Sequence, residues 1–303
     1  MYSHIVVPVD GSNLSESALP WAYALAKAFE SRIILVEALA PGEATAGHWK
    51  ETEAKTRGAM AEARRKEQAY LTMLEQRLHG VQTAHSLKSG RPERVIVAEA
   101  KRHGDSTLIA MSTHGRTGIG RWLVGSVTTK VIHGAPSSML IVRPEQQDNH
   151  KQLEARLRHV ILPLDGSPLS EAATPTALEL AVKLNLPITL VRVVPTAQFT
   201  AAGGWAGTYA GGYAQVLEAV ESETKEYLAA KVSDLKGRGI SQVDSKMFLG
   251  DPAGHIVDLG RESEGNLIVM SSRGRTGLGR AVLGSVADRV VSSSGAPVLL
   301  VKT

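Results

Sequence analysis

Two stretches of the chain place glycines, hydroxyls and guanidinium groups at one spacing: STHGRTGIGRWLVGS from Ser112 to Ser126, and SSRGRTGLGRAVLGS from Ser271 to Ser285. In the first, Gly115, Gly118, Gly120 and Gly125 let backbone N–H groups turn inward and approach a ligand closely, while Arg116 and Arg121 add fixed positive charge. Gly125 and Ser126 read as the opening of a helix, whose terminal amides suit a phosphate, with the Ser126 hydroxyl as a further donor. The second stretch repeats the set with Gly274, Arg275, Gly277, Gly279, Arg280, Gly284 and Ser285. Such a loop is suited to an anion. It is not a Walker loop, because no Gly-Lys-Ser/Thr occurs, and it lacks the third glycine of a Rossmann fingerprint. Asp10 and Asp165, each in an Asp-Gly-Ser directly after an apolar run, add an acceptor suited to an adenine amine or a ribose hydroxyl. An ordinary helix cap and an ordinary turn explain either feature alone. Their joint occurrence, twice in one chain, points to a nucleotide or phosphate ligand.

Catalytic groups do not accompany this pattern. There is no HExxH and no Gly-x-Ser-x-Gly elbow, and the 10 histidines are dispersed with no metal-site spacing. The absence of cysteine removes disulfides, thiolate metal sites and cysteine nucleophiles. Glycines, serines and arginines without a poised general base read as a binding protein, with slow ATP turnover at most, rather than a dedicated enzyme. The balance of 34 Lys+Arg against 30 Asp+Glu leaves +4 with no dense basic run, which argues against nucleic acid or an anionic membrane as partner.

The elements that must position these residues come in two copies. Residues 4–28 align without a gap on 159–183 with thirteen of 25 identical, and residues 111–131 align on 270–290 with twelve of 21 identical. The offset grows from 155 to 159, so the chain is a tandem duplication with four extra residues inside the second copy. In the first copy, apolar runs cover Ile5–Val9, Ile33–Ala38, Thr83–Leu87, Thr107–Met111 and Met139–Val142. Helical periods cover Ser15–Phe29, Lys50–Leu78, Pro92–Arg102 and Ser126–His133. Five strands alternating with four helices predict an α/β fold, a parallel sheet with helices on both faces. Right-handed crossovers favour the order 3-2-1-4-5, whose switch point lies beyond the carboxyl ends of strands 1 and 4. The two stretches most alike between the copies follow those two strands.

The expected boundaries are a first domain over 1–145, a polar linker over 146–157 and a second domain over 158–303. The chain opens on a strand with no basic leader or apolar h-region, and nothing in it offers the 18 apolar residues of a membrane span, so a cytoplasmic protein is expected. The glycine-rich segment 201–212 reads either as a loop or as a flap closing over a ligand. The apolar fifth strands, Leu140–Val142 and Leu299–Val301, are edge hazards that pairing with each other would cover.

With these residues in view the chain resembles the universal stress protein family in its tandem two-domain form. The resemblance rests on Val-Pro-Val-Asp-Gly-Ser and Leu-Pro-Leu-Asp-Gly-Ser, the Thr-His-Gly-Arg element, Gly-Ser-Val, and a final Ala-Pro before an apolar strand. It implies two Rossmann-like domains of the adenine nucleotide alpha hydrolase-like type. It also implies an ATP motif, Gly-x2-Gly-x9-Gly-Ser/Thr, whose last two glycines fall on Gly115 and Gly125 and on Gly274 and Gly284, followed by Ser126-Val127 and Ser285-Val286. The first glycine falls on Ser112 and Ser271. A left-handed backbone there would cost a serine about 1–2 kcal/mol, whereas an extended one would cost little. Both copies carry the same change, which favours tolerance.

On the adenine side the resemblance implies Pro8, Asp10, Gly11 and Ala38 in one copy and Pro163, Asp165, Gly166 and Val193 in the other. His114 aligns with Arg273, and for it a phosphate contact and a solvated loop position both stand as readings. The implied cofactor is ATP, with Mg2+ as an optional companion. The implied assembly is a pseudo-dimer of the two domains, with a homodimer of chains beyond it. The leading expectation is a stress-response protein that binds ATP in two similar sites and signals through its nucleotide state. The alternative is a nucleotide-independent module binding protein partners, which Ser112 and Ser271 favour. A nucleotide-processing enzyme is the third reading.

Overall fold

The computed structural model describes residues 2–39, 52–113, 124–144, 155, 157–196, 210–272 and 283–302. They fall into two compact units, Met1–Ala155 and Arg156–Thr303. In unit one the order is β1 (His4–Pro8), α1 (Asn13–Glu16), α2 (Leu19–Phe29), β2 (Arg32–Leu39), α3 (Thr52–Arg77), β3 (Thr83–Ser89), α4 (Pro92–Arg102), β4 (Thr107–Ser112), α5 (Ser126–Gly134) and β5 (Ser138–Val142). Unit two repeats it: β6 (His159–Pro163), α6 (Pro168–Glu171), α7 (Thr174–Leu184), β7 (Ile188–Val194), α8 (Ala210–Gly237), β8 (Val243–Leu249), α9 (Pro252–Arg261), β9 (Asn266–Ser271), α10 (Ser285–Ser293) and β10 (Val298–Val301).

The strands are parallel, in the order β3-β2-β1-β4-β5 in unit one and β8-β7-β6-β9-β10 in unit two. That is the 3-2-1-4-5 order expected from connection rules. The central strands β4 and β9 are buried at all six positions, as a sheet covered on both faces requires. Strand β3 is only half-buried and carries the polar sequence TAHSLKS. Val6, Val7, Leu35, Leu108 and Ile109 form the centre of one core, and Val160, Leu162, Leu190, Leu267 and Ile268 that of the other.

One element differs from the sequence reading. The stretch Ser15–Phe29 is not a single helix but the short α1 followed by α2, so each unit has five helices among its described residues rather than four. Pro20 and Pro175 stand at the start of α2 and α7. A proline has no N–H to donate, and its ring conflicts with the carbonyl four residues back, here Glu16 or Glu171. The first helix therefore ends there, capped at its start by Ser12 or Ser167, whose hydroxyl accepts from the Ser15 or Ser170 N–H. Among the described residues, no helix is long and apolar enough to cross a membrane.

Candidate functional site

Those residues singled out from the sequence that are described lie at the carboxyl ends of the strands. In unit two, Pro163 closes β6, and Asp165 and Gly166 form the turn into α6. The Asp165 carboxylate accepts from the Ser167 N–H at 2.9 Å, and the Asp165 N–H donates to the Ser170 hydroxyl at 3.2 Å. Gly166 has φ of 81°, and Gly11 in unit one has φ of 77°, a left-handed conformation that favours glycine. The Asp-Gly-Ser sequence is thus read by its own backbone: the aspartate bends the chain, the glycine takes the reversed residue and the serine caps the helix.

Ser271 ends β9, and Gly284 starts α10 as its N-cap. The Gly284 N–H donates to the Ser272 carbonyl at 2.9 Å, which closes the base of the segment between them. No side chain caps α10. In unit one the Gly125 N–H donates to the Thr113 carbonyl at 2.7 Å, and the Thr128 hydroxyl donates to the Ser112 carbonyl at 2.9 Å. Ser112 and Ser271 are buried strand residues, and the only non-glycine residues with positive φ among those described are Glu30 and Asn185. The serine in place of the first motif glycine therefore sits in extended backbone, where it costs little.

A cavity of about 370 Å³ opens at this end of unit two. Its lining includes seven of the residues singled out in unit two: Pro163, Asp165, Val193, Ser271, Gly284, Ser285 and Val286. The volume lies within the roughly 300–1,000 Å³ of small-molecule sites. In unit one Pro8 pairs with Val36, Asp10 and Gly11 occupy the same turn, Ala38 lies on β2 opposite Lys88, and Gly125, Ser126 and Val127 open α5. His114, Gly115, Arg116 and Gly118, with Gly274, Arg275 and Gly277, lie outside the described residues, as do Arg121, Arg280 and residues 201–209.

Several lining residues escaped the sequence reading. Arg192 on β7 enters the cavity wall, with its guanidinium 4.7 Å from the centre of the Tyr227 ring. A methyl group added at Gly166 would meet Arg192 Nη1 at 3.2 Å, so the glycine also leaves room for that side chain. Ser170, Met270, Pro252 and Ile256 also line it, as do Val220 and Glu223 on α8.

Behind the turn, each unit holds its glutamate in the same way. Tyr227 donates its hydroxyl to Glu171 Oε1 at 2.9 Å, and the Lys231 ammonium bonds Glu171 Oε2 at 2.7 Å. In unit one Tyr70 donates to Glu16 Oε1 at 2.9 Å and Arg77 to Glu16 Oε2 at 2.7 Å. Burial, then the bonded carboxylate, pushes both phenols well above their ordinary range. The Lys231 hydrogen bond holds the Glu171 carboxyl below its ordinary value despite its partial burial. These groups fix the long helix against the turn that presents the aspartate.

A sequence model of the universal stress protein family matches residues 1–143 and again residues 156–302. A universal stress protein of Mycolicibacterium smegmatis is 26% identical over 307 residues, covering 98% of this chain and 96% of that protein. One from Methanocaldococcus jannaschii is 32% identical over 148 residues, 48% of this chain and 82% of its own length. The crystal structure of a universal stress protein from Archaeoglobus fulgidus has a TM-score of 0.69 at 18% identity and covers 100% of this chain and 99% of its own, a likeness of fold.

Proposed function

The chain belongs to the universal stress protein family, present twice in tandem, and on that premise we propose that it is a cytoplasmic stress-response protein that binds ATP at the carboxyl ends of its strands. The observation that carries this reading is the cavity of unit two. It unites an acceptor, Asp165, an apolar wall of Val191, Val193, Ile256 and Met270, and the open amino end of α10 at Gly284 and Ser285. An adenine ring needs the apolar wall and the acceptor; phosphates need N–H donors at a helix start. The residues present fit both halves of the ligand. Bound ATP would supply its phosphate charge as the signal, with Mg2+ carried by the phosphates. Among the described residues, no group of three or more His, Asp or Glu could hold a metal ion.

The physical roles divide by element. The turn Asp165-Gly166-Ser167 holds the carboxylate at the rim, and β7 presents the apolar wall. The Gly284 N–H is already bonded to Ser272, so the free donors of α10 begin with the amides that follow it. The test is to purify the full chain without added nucleotide, denature it and identify released small molecules, then titrate the emptied protein with ATP by calorimetry. Adenine nucleotide in the release and a saturable heat are expected. Absence of both would favour a module that binds protein partners without nucleotide.

A further inference from the structure

The two units carry opposite charges at a matched position on the second strand. In unit one Pro8 pairs with Val36, and the Val9 N–H donates to the Val36 carbonyl at 2.9 Å. In unit two Pro163 pairs with Val191, and the Leu164 N–H donates to the Val191 carbonyl at 2.8 Å. The next residue along the strand is Glu37 in unit one and Arg192 in unit two. Arg192 lies over the Tyr227 ring, and in unit one the Glu37 charge, after burial and Glu16, helps to raise the Tyr70 phenol. Unit two thus has a guanidinium in its cavity wall where unit one has, at the matched strand position, a carboxyl group that is 3% exposed.

We propose that the two sites are unequal: a nucleoside polyphosphate binds in unit two, and Glu37 makes unit one reject it. The inference rests on the nucleotide reading above and deepens it. A guanidinium held between Tyr227 and the Gly166 backbone is a preorganised cation, which attracts a multiply charged anion through its outward N–H edge. A carboxyl group in either protonation state supplies no positive charge, and when ionised it repels phosphate at close range. Asp165 has its counterpart in Asp10. Glu223 is matched by Lys66, each four residues before the tyrosine of its long helix, a reversal in the opposite sense; both are exposed, so water screens them, whereas Glu37 is buried. Ala38 opposite Val193 adds a smaller apolar wall in unit one.

The experiment is photolabelling of the full chain with 8-azido-ATP, with and without excess ATP, followed by digestion and mass mapping of labelled peptides. The expected result is competable label in peptides of residues 158–303 at roughly tenfold or more over peptides of residues 1–145. Equal labelling of both units overturns the inequality and leaves the nucleotide reading standing. Label that ATP does not displace from either unit overturns the nucleotide reading itself, and the inequality with it. Two charge-neutralising variants then assign the cause, with far-ultraviolet circular dichroism and thermal unfolding recorded to establish that each is folded. Arg192→Gln lowers unit-two labelling by roughly tenfold, and Glu37→Gln raises that of unit one. Unchanged labelling in the folded variants overturns the role given to this pair, and the ratio in the unmodified chain tests the inequality independently of either.

Discussion

Tyr70 donates its hydroxyl to Glu16 at 2.9 Å, joining the last third of α3 to the end of α1 across 54 positions of sequence. Glu16 is 8% exposed and also holds Arg77. Removing the phenol oxygen leaves a buried carboxylate short of a donor. We expect Tyr70→Phe to destabilise unit one by about 1.5–3 kcal/mol in urea unfolding, because the lost bond is to a charged group. A change under about 0.5 kcal/mol would show that Arg77 alone satisfies Glu16.

The same bond predicts a spectroscopic result. Both phenols are held well above their ordinary value of 10.0, by burial first and then by the glutamate. They should stay protonated in the folded protein at a pH where exposed tyrosines ionise. A group whose folded pKa is raised contributes stability that is intact below the unfolded value and lost as pH rises past it. Stability should therefore decline above about pH 10, and that decline should shrink in a Tyr70→Phe, Tyr227→Phe double variant. Tyrosinate absorbance near 295 nm, followed with unfolding, checks both statements.

On the acid side the sign reverses. Lys231 holds the Glu171 carboxyl below its ordinary value of 4.5, so this contribution is present above that pH and lost as pH falls beneath it. Unfolding midpoints measured from pH 6 to pH 3 should fall less steeply for Lys231→Met than for the unmodified chain. Parallel curves would show that the pair is screened by solvent.

Gly166→Ala should cost about 1–2 kcal/mol for its left-handed backbone, and it should also displace Arg192, which lies 3.2 Å from the added carbon. Unfolding measures the first effect and ATP titration the second. Gly11→Ala carries the backbone cost at φ of 77° and supplies the comparison in unit one.

Much of the scaffold was legible because it follows from period and connection. Near-continuous apolar runs placed the strands, the crossover rules ordered them, and the repeat of Asp-Gly-Ser and Gly-Ser marked the ends that face the cavity. The break between α1 and α2 was missed although Pro20 and Pro175 announce it, because the apolar period runs through them. Arg192 was missed because it lies inside an apolar strand and looks like a strand interruption. The signal was present: aligning the copies sets it against Glu37, a charge reversal among residues otherwise alike. Tyr70 and Tyr227 were less accessible, since their role depends on how the long helices α3 and α8 meet a turn more than fifty residues away.

The most direct measurement of the central claim is a crystal structure of the full chain grown with ATP. The account predicts the adenine between Asp165 and Val193, the Arg192 guanidinium against the nucleotide, and phosphates at the amino end of α10 beside Ser285. Nucleotide bound elsewhere on the chain, or crystals at saturating ATP with that cavity empty, would contradict it.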